Sequence, residues 1–242
     1  MKTKDSTRLK RIRPAIVREL KNHADARYRI GAENYFKEGI ALYGVRAKEV
    51  RRIAACFFAV VRNEDPAALF ALCEELLSSP YAEEKTIAFA WAYRLRRSYE
   101  PKDFRRFESW LKKYVSNWGA CDDLCRHAFG AFIYRFPERL PRVKAWTRSK
   151  NRWLRRAAAV IMIYSLRKGV HLDFAFQIAD ALLRDEDYLV QNGYGWMLKD
   201  ASIDARAEVL EYVTRHKNEM PRRALRYAIE RFTPLQRRRI MS

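Results

Sequence analysis

The chain has 242 residues, of which 49% are hydrophobic and 13% aromatic, a composition that excludes general disorder. Its 8 glycines and 8 prolines are too few for the many short turns of a β-sandwich or barrel. Lysine and arginine number 49 against 29 acidic residues, a net charge of +20. Such an excess attracts phosphate backbones, and it favours a nucleic acid as partner over an anionic membrane or an acidic protein.

The chain begins with a basic segment. Residues 1–14 lead into no apolar stretch, so we predict a basic N-terminal arm instead of a secretory signal. We assign residues 15–242 to one repeat domain. A membrane span is not expected, because no run of about 18 apolar residues occurs.

Helices are predicted along the whole chain, because apolar residues recur every three to four positions and no alternating strand pattern is present. Asp65 before Pro66, and Asp187 before an apolar run, have the positions of helix N-caps. The predicted helices are 8–24, 27–40, 46–62, 66–78, 82–97, 102–116, 118–135, 138–148, 152–168, 172–184, 187–201, 204–217 and 220–231.

Six of these helices start at nearly regular intervals of about 35 residues, near Arg46, Ala82, Trp118, Arg152, Asp187 and Met220. A period of this length with two helices per unit is typical of α-solenoids. We therefore predict an all-α fold, an α-solenoid of about six HEAT-like helical pairs whose concave face is basic and binds DNA. The segment 156–164 is apolar on nearly every side, so its helix must be covered on both faces.

The start of the predicted helix 118–135 is the first candidate for chemistry. Trp118 and Asp122 are four residues apart and hence neighbours on one helix face. An indole beside the carboxylate would partly desolvate it and raise its pKa. The alternative is structural, since a carboxylate near a helix N-terminus is also favoured by the helix dipole.

Two arginine clusters at helix starts have the donor geometry that suits phosphate. Arg152, Arg155 and Arg156 open one helix, and Arg222 and Arg223 follow a proline at the start of another. A helix N-terminus adds backbone amides to such a site. Solvated, purely structural arginines explain both clusters equally well.

Gly193 and Gly195 lie inside a predicted helix, next to Trp196. Each glycine costs the helix about 1 kcal/mol relative to alanine. Either close packing of a neighbouring helix or close approach of a ligand would offset that cost.

Together these features resemble the DNA alkylation repair protein family, the AlkD-type alkylpurine DNA glycosylases, over roughly residues 30–232. The resemblance is carried by Tyr35, Tyr43-Gly44-Val45-Arg46, Trp118 with Asp122, Trp153-Leu154-Arg155-Arg156-Ala157-Ala158, Gly195-Trp196-Met197-Leu198-Lys199 and Arg222-Arg223.

The resemblance implies a DNA repair glycosylase that hydrolyses the N-glycosidic bond of cationic N3- or N7-alkylated purines in duplex DNA. Such enzymes leave an abasic site and do not flip the base. By resemblance Asp122 is the catalytic carboxylate, Trp118 and Trp196 flank the sugar of the lesion, and Arg156 binds a phosphate. Tyr35 lies near the binding cleft, and Arg152, Arg155, Arg222 and Arg223 contact the DNA backbone.

Three positions depart from the family's pattern. Gly119 replaces a commonly acidic residue, Asn192 replaces a frequent lysine, and Asp123 adjoins Asp122, so a shift of one residue would exchange the two carboxylates. The alternative function is a non-catalytic DNA-binding HEAT-repeat scaffold. A protein-binding HEAT adaptor is a further alternative, and it would present an apolar groove.

No metal or organic cofactor is expected. The cysteines lack the spacings of zinc or redox sites, with Cys121 and Cys125 one helical turn apart. We predict reduced thiols in a monomeric cytoplasmic protein associated with the nucleoid.

Overall fold

The computed structural model describes residues 8–242, and within that range every regular element is a helix apart from one isolated β-bridge between Ala41 and Tyr81. The predicted all-α class is therefore confirmed. The chain separates into two compact units, Met1–Asp123 and Leu124–Ser242. Residues 1–7 of the predicted arm lie outside the described residues, residues 8–10 are helical, and the next helix begins at Ile12, also inside the predicted arm.

Besides the helical residues 8–10, the described part of the first unit contains seven α-helices. They are α1 (Ile12–Asn22), α2 (Ala26–Tyr35), α3 (Ala47–Val61), α4 (Pro66–Leu77), α5 (Ala82–Arg94), α6 (Asp103–Tyr114) and α7 (Trp118–Asp123). Side-chain capping confirms the predicted start of α4, because the carboxylate of Asp65 accepts from Ala67 N at 3.0 Å.

The second unit opens with a π-helical segment, Leu124–Phe129, that follows α7 without a break. Its α-helices are α8 (Gly130–Arg135), α9 (Leu140–Ala145), α10 (Arg152–Val160), α11 (Met162–Leu166), α12 (Leu172–Leu182), α13 (Tyr188–Ala201), α14 (Arg206–His216), α15 (Arg222–Ala228) and α16 (Pro234–Met241). Asp187 caps α13, as predicted, by accepting from Leu189 N at 2.9 Å.

Packing follows the predicted 35-residue period. In the first unit α3 packs on α5 and α5 on α7, and in the second unit α10 packs on α13 and α13 on α15. Within each unit, a helix that starts a predicted repeat thus covers the corresponding helix of the next repeat. The apolar segment of α10 and α11 is buried throughout residues 156–163, as its lack of a polar face requires.

The helix prediction was wrong at one helix end and missed one helix. The helix predicted over 27–40 ends at Tyr35, where Phe36 turns into extended backbone. The helix α16 was missed, although Thr233 and Gln236 form a reciprocal capping box before it and Pro234 occupies its first turn.

Candidate nucleic-acid interface

The start of α7 holds Trp118 and Asp122 in a fixed register. The buried side chain of Asn117 accepts from Ala120 N at 2.9 Å, which caps the helix one residue before Trp118. Trp118 and Asp122 are then separated by one helical turn, and both are half-buried. Asp123 is half-buried as well, so burial does not distinguish the two carboxylates, whereas the four-residue spacing from Trp118 selects Asp122.

An aromatic cluster braces Trp118 from within the first unit. The ring of Phe36 stacks on the indole with centroids 4.8 Å apart and planes 13° from parallel. Tyr35 meets the indole edge-on at 5.8 Å while its own side chain stays 69% exposed. The indole is therefore held in one orientation, next to an exposed aromatic ring.

Gly119 makes room for this stacking. A Cβ at position 119 would lie 3.2 Å from Cε1 of Phe36, closer than most Cβ contacts. The departure from the family's acidic residue therefore coincides with a ring packed against Trp118. Phe36 was not among the predicted site residues, and the only sequence signal for it is its position next to Tyr35.

The Tyr43-Gly44-Val45-Arg46 motif has a structural role. The carboxylate of Glu83, buried on α5, accepts from the backbone N–H groups of Tyr43, Gly44 and Val45 at 3.1, 2.9 and 3.1 Å. Gly44 has a φ of 96° and lies so close to Asp25 O that a Cβ would be 2.5 Å away, so only glycine fits. The motif anchors the loop between α2 and α3.

Arg152 and Arg155, at the start of α10, bind carboxylates of this protein. Nε of Arg155 lies 2.6 Å from Asp185, and Nε of Arg152 lies 2.7 Å from Asp187. Asp185 and Asp187 belong to the loop and N-cap that precede α13. These arginines therefore hold α13 against α10; whether they also contact DNA stays a prediction.

Arg156 is buried, with 5% of its surface exposed. Its Nη1 donates to the backbone carbonyl of Leu189 on α13. Gly193 lies against the same side chain, because a Cβ there would be 3.2 Å from Cγ of Arg156. The glycine thus accommodates an internal arginine, and the predicted phosphate contact of Arg156 remains a prediction.

Trp196 is half-buried on α13, with the guanidinium of Arg126 over its ring at 5.6 Å from the centroid. Arg126 was not among the predicted site residues. The sequence indicates only that it lies in the predicted helix 118–135. Gly195, next to Trp196, lets α15 approach, since a Cβ would be 2.7 Å from the carbonyl oxygen of Ala224. Close packing therefore accounts for the second glycine.

Arg222 and Arg223 point to different neighbours at the start of α15. Nη1 of Arg222 donates to the carbonyl of Met241 at 2.9 Å, which ties α15 to the end of α16. The guanidinium of Arg223 lies over the exposed ring of Tyr188, 5.4 Å from its centroid. Both arginines are exposed.

Residues 8–242 were also compared with the requirements of a membrane span and of a metal site. No helix there is long and apolar enough to cross a membrane. That range also contains no group of three or more histidine, cysteine, aspartate or glutamate side chains arranged to hold a metal ion. Cys73, Cys121 and Cys125 are buried free thiols, and burial raises the pKa of the Cys73 thiol far above its ordinary value.

One family model matches most of this chain, and two solved structures share its fold. The family model described as DNA alkylation repair enzyme matches residues 16–232. A solved structure from Enterococcus faecalis, described as a predicted DNA alkylation repair enzyme, superposes with a TM-score of 0.76 at 17% identity, covering 88% of this chain and 98% of its own. The structure of smu.31 from Streptococcus mutans UA159 superposes with a TM-score of 0.56 at 18% identity, over 75% and 96% of the two chains. No curated protein matches in sequence.

Proposed function

This chain belongs to the DNA alkylation repair enzyme family, and from that premise we propose that it is an alkylpurine DNA glycosylase. A role in DNA repair follows from the family. The finer assignment is that the protein hydrolyses the N-glycosidic bond of cationic purines such as 3-methyladenine and 7-methylguanine in duplex DNA. Base excision repair would then process the abasic site that remains.

The observation that carries the proposal is the carboxylate of Asp122 one turn from the braced indole of Trp118. A carboxylate on the DNA-binding face of a protein with a net charge of +20 repels the phosphates it must approach. A scaffold gains nothing from that repulsion. In an enzyme, the same carboxylate stabilises the positive charge that develops on the sugar in the transition state.

The chemistry requires little more than this pair. An alkylated purine carries a positive charge, so it leaves without protonation when the electron pair of the glycosidic bond moves onto its ring. The sugar becomes oxocarbenium-like, and Asp122 stabilises that charge and orients the water that attacks C1′. The water's proton passes to the carboxylate or to solvent.

The aromatic side chains are proposed to position the DNA. Trp118 would contact the deoxyribose through the face of its indole that Phe36 leaves open, with Tyr35 beside it. Trp196, in the second unit, would supply another indole to the DNA, with Arg126 above its ring. Arg156 is proposed to support a neighbouring phosphate, and Arg152, Arg155, Arg222 and Arg223 to lie along the backbone.

Product analysis tests the activity. Methylated duplex DNA is incubated with the protein, and free 3-methyladenine, free 7-methylguanine and abasic sites are quantified. The proposal predicts equal amounts of released base and abasic site. Tight binding of the duplex without release of either base would reject the glycosylase and favour a DNA-binding scaffold.

A further inference from the structure

We propose that α16, together with the outer face of α15, forms a second contact surface for the phosphate backbone of duplex DNA. The surface lies around an open groove of about 560 Å³ that is lined by Arg226, Ile229, Glu230, Pro234, Arg237, Arg238 and Met241. We call it the α15–α16 groove. That its partner is duplex DNA rests on the proposed function.

The C-terminal region that contains the groove is strongly basic. Residues 222–242 contain seven arginines and one acidic residue, Glu230. Glu230 is already engaged, because its carboxylate lies 2.7 Å from Nζ of Lys199. The field of the groove is therefore positive, as a polyanion requires.

Among residues 8–242, the one carboxylate that lines the groove, that of Glu230, pairs with Lys199 and with none of the groove arginines. Within residues 8–242, no ion pair or side-chain hydrogen bond is formed by the guanidinium groups of Arg226, Arg237 and Arg238, and all three side chains are exposed. Guanidinium forks of this kind bind phosphate oxygens through two parallel hydrogen bonds. Three of them around one groove suit a run of phosphates better than a single small anion.

The groove is held together independently of its arginines. Thr233 and Gln236 cap the start of α16, and Ile240 buries its apolar side. Arg222 fixes the other end by donating to the carbonyl of Met241. The groove arginines are thus displayed by a helix that other residues anchor, which makes them replaceable without unfolding.

The groove is close to the proposed DNA contact at Trp196. Lys199, whose ammonium pairs with Glu230, lies three residues after Trp196 on α13, which is about 4.5 Å along the helix. The family model ends at residue 232, whereas α16 starts at Pro234. The α16 side of the groove, Pro234, Arg237, Arg238 and Met241, therefore lies beyond the segment that the family model matches, whereas Arg226, Ile229 and Glu230 lie within it.

The test is the salt dependence of binding to an undamaged duplex. The double variant Arg237→Ala/Arg238→Ala is compared with Arg51→Ala/Arg105→Ala, which removes the same charge from two exposed arginines in the first unit. Each lost phosphate contact lowers the slope of log K against log salt by about 0.9. We expect the α16 double to lose between one and two units of slope and to bind about tenfold more weakly at moderate salt.

Arg237→Lys/Arg238→Lys keeps the charge and is expected to recover most of the slope. A loss no larger than that of the Arg51/Arg105 control would overturn the proposal. A second outcome would also overturn it. If the slope of the α16 double were unchanged while the melting temperature of the wild type rose more in inorganic phosphate than in chloride at equal ionic strength, the groove would bind a small anion instead of DNA.

Binding to undamaged DNA separates this inference from the proposed activity. If base release fails but the slope falls as expected, the α15–α16 groove stands and the glycosylase assignment falls. If base release succeeds and the slope does not fall, the opposite holds. Unfolding curves of both doubles confirm that each variant is folded.

Discussion

Two arginine clusters in the unit Leu124–Ser242 show opposite uses of the same side chain. At the start of α10, Arg152 and Arg155 bind carboxylates that precede α13, and Arg156 is buried against α13 itself. On α16, Arg237 and Arg238 are exposed and have no ion-pair partner within residues 8–242. The first cluster joins helices in addition to its proposed contacts with DNA, whereas the second is available to another molecule alone.

The comparison teaches that an arginine-rich helix start is not in itself a phosphate site. A guanidinium fork fits a carboxylate as well as it fits a phosphate. What separates the two uses is whether the fold brings an acid within reach. The following substitutions test the division, from the largest expected effect on stability to the smallest.

Arg156→Ala is expected to be the most destabilising, by about 3 kcal/mol, because it removes a buried side chain that packs on Gly193 and bonds to the Leu189 carbonyl. Urea unfolding measures the loss, with exposed Arg239→Ala as the control that should unfold like the wild type. The salt slope of DNA binding by the same variant tests the phosphate contact. We expect it to be flatter by about one unit, and an unchanged slope would confine Arg156 to a structural role.

Arg155→Ala is expected to cost about 2 kcal/mol, because it leaves the carboxylate of Asp185, only 8% exposed, without its guanidinium. The partner variant Asp185→Asn and the double complete a mutant cycle. If the losses of unfolding free energy in the two single variants add up to the loss in the double variant, Arg155 and Asp185 do not stabilise each other. That result would contradict the internal role of Arg155.

Gly195→Ala is expected to cost about 1.5 kcal/mol, because the new Cβ would press on the backbone of α15 at Ala224. In the matched change Gly193→Ala the closest contact of the new Cβ is the side chain of Arg156 at 3.2 Å, and the gain in helix propensity should nearly cancel its cost. Thermal unfolding distinguishes the pair. Equal melting temperatures would show that α13 and α15 do not depend on this close approach.

Arg237→Ala/Arg238→Ala is expected to change the free energy of unfolding by less than about 0.5 kcal/mol, since neither side chain is buried or ion-paired. Urea unfolding at low salt checks this. A loss above 1 kcal/mol would mean that the two arginines support the fold, and the contrast with α10 would disappear.

The helices and their period could be predicted from local sequence because apolar spacing, N-caps and prolines are local signals. The residue at which α2 ends could not be predicted from such local signals. The loop that follows α2 is anchored at residues 43–45 by Glu83, about 40 positions away, which accepts from their backbone amides. The helical periodicity of residues 36–40 does not reveal that partner.

The candidate site also has one part that could be predicted from local sequence and one part that could not. The register of Trp118 and Asp122 follows from their spacing alone. The ring of Phe36 on Trp118, and the internal bonds of Arg155 and Arg156, depend on partners some 30 to 80 residues distant. The two glycines of α13 were predicted to need a close neighbour, and the structure supplies an arginine for one and a helix for the other.

The central claim is that Asp122 makes this DNA-binding protein an enzyme. Single-turnover release of 7-methylguanine, measured with the duplex saturated by protein, compares wild type, Asp122→Asn and Asp123→Asn. The two variants remove the same charge from adjacent half-buried positions. We predict that Asp122→Asn binds DNA at least as well as the wild type but releases base about 100-fold or more slowly, while Asp123→Asn stays within a few-fold of the wild type. Undiminished release by Asp122→Asn would contradict the account.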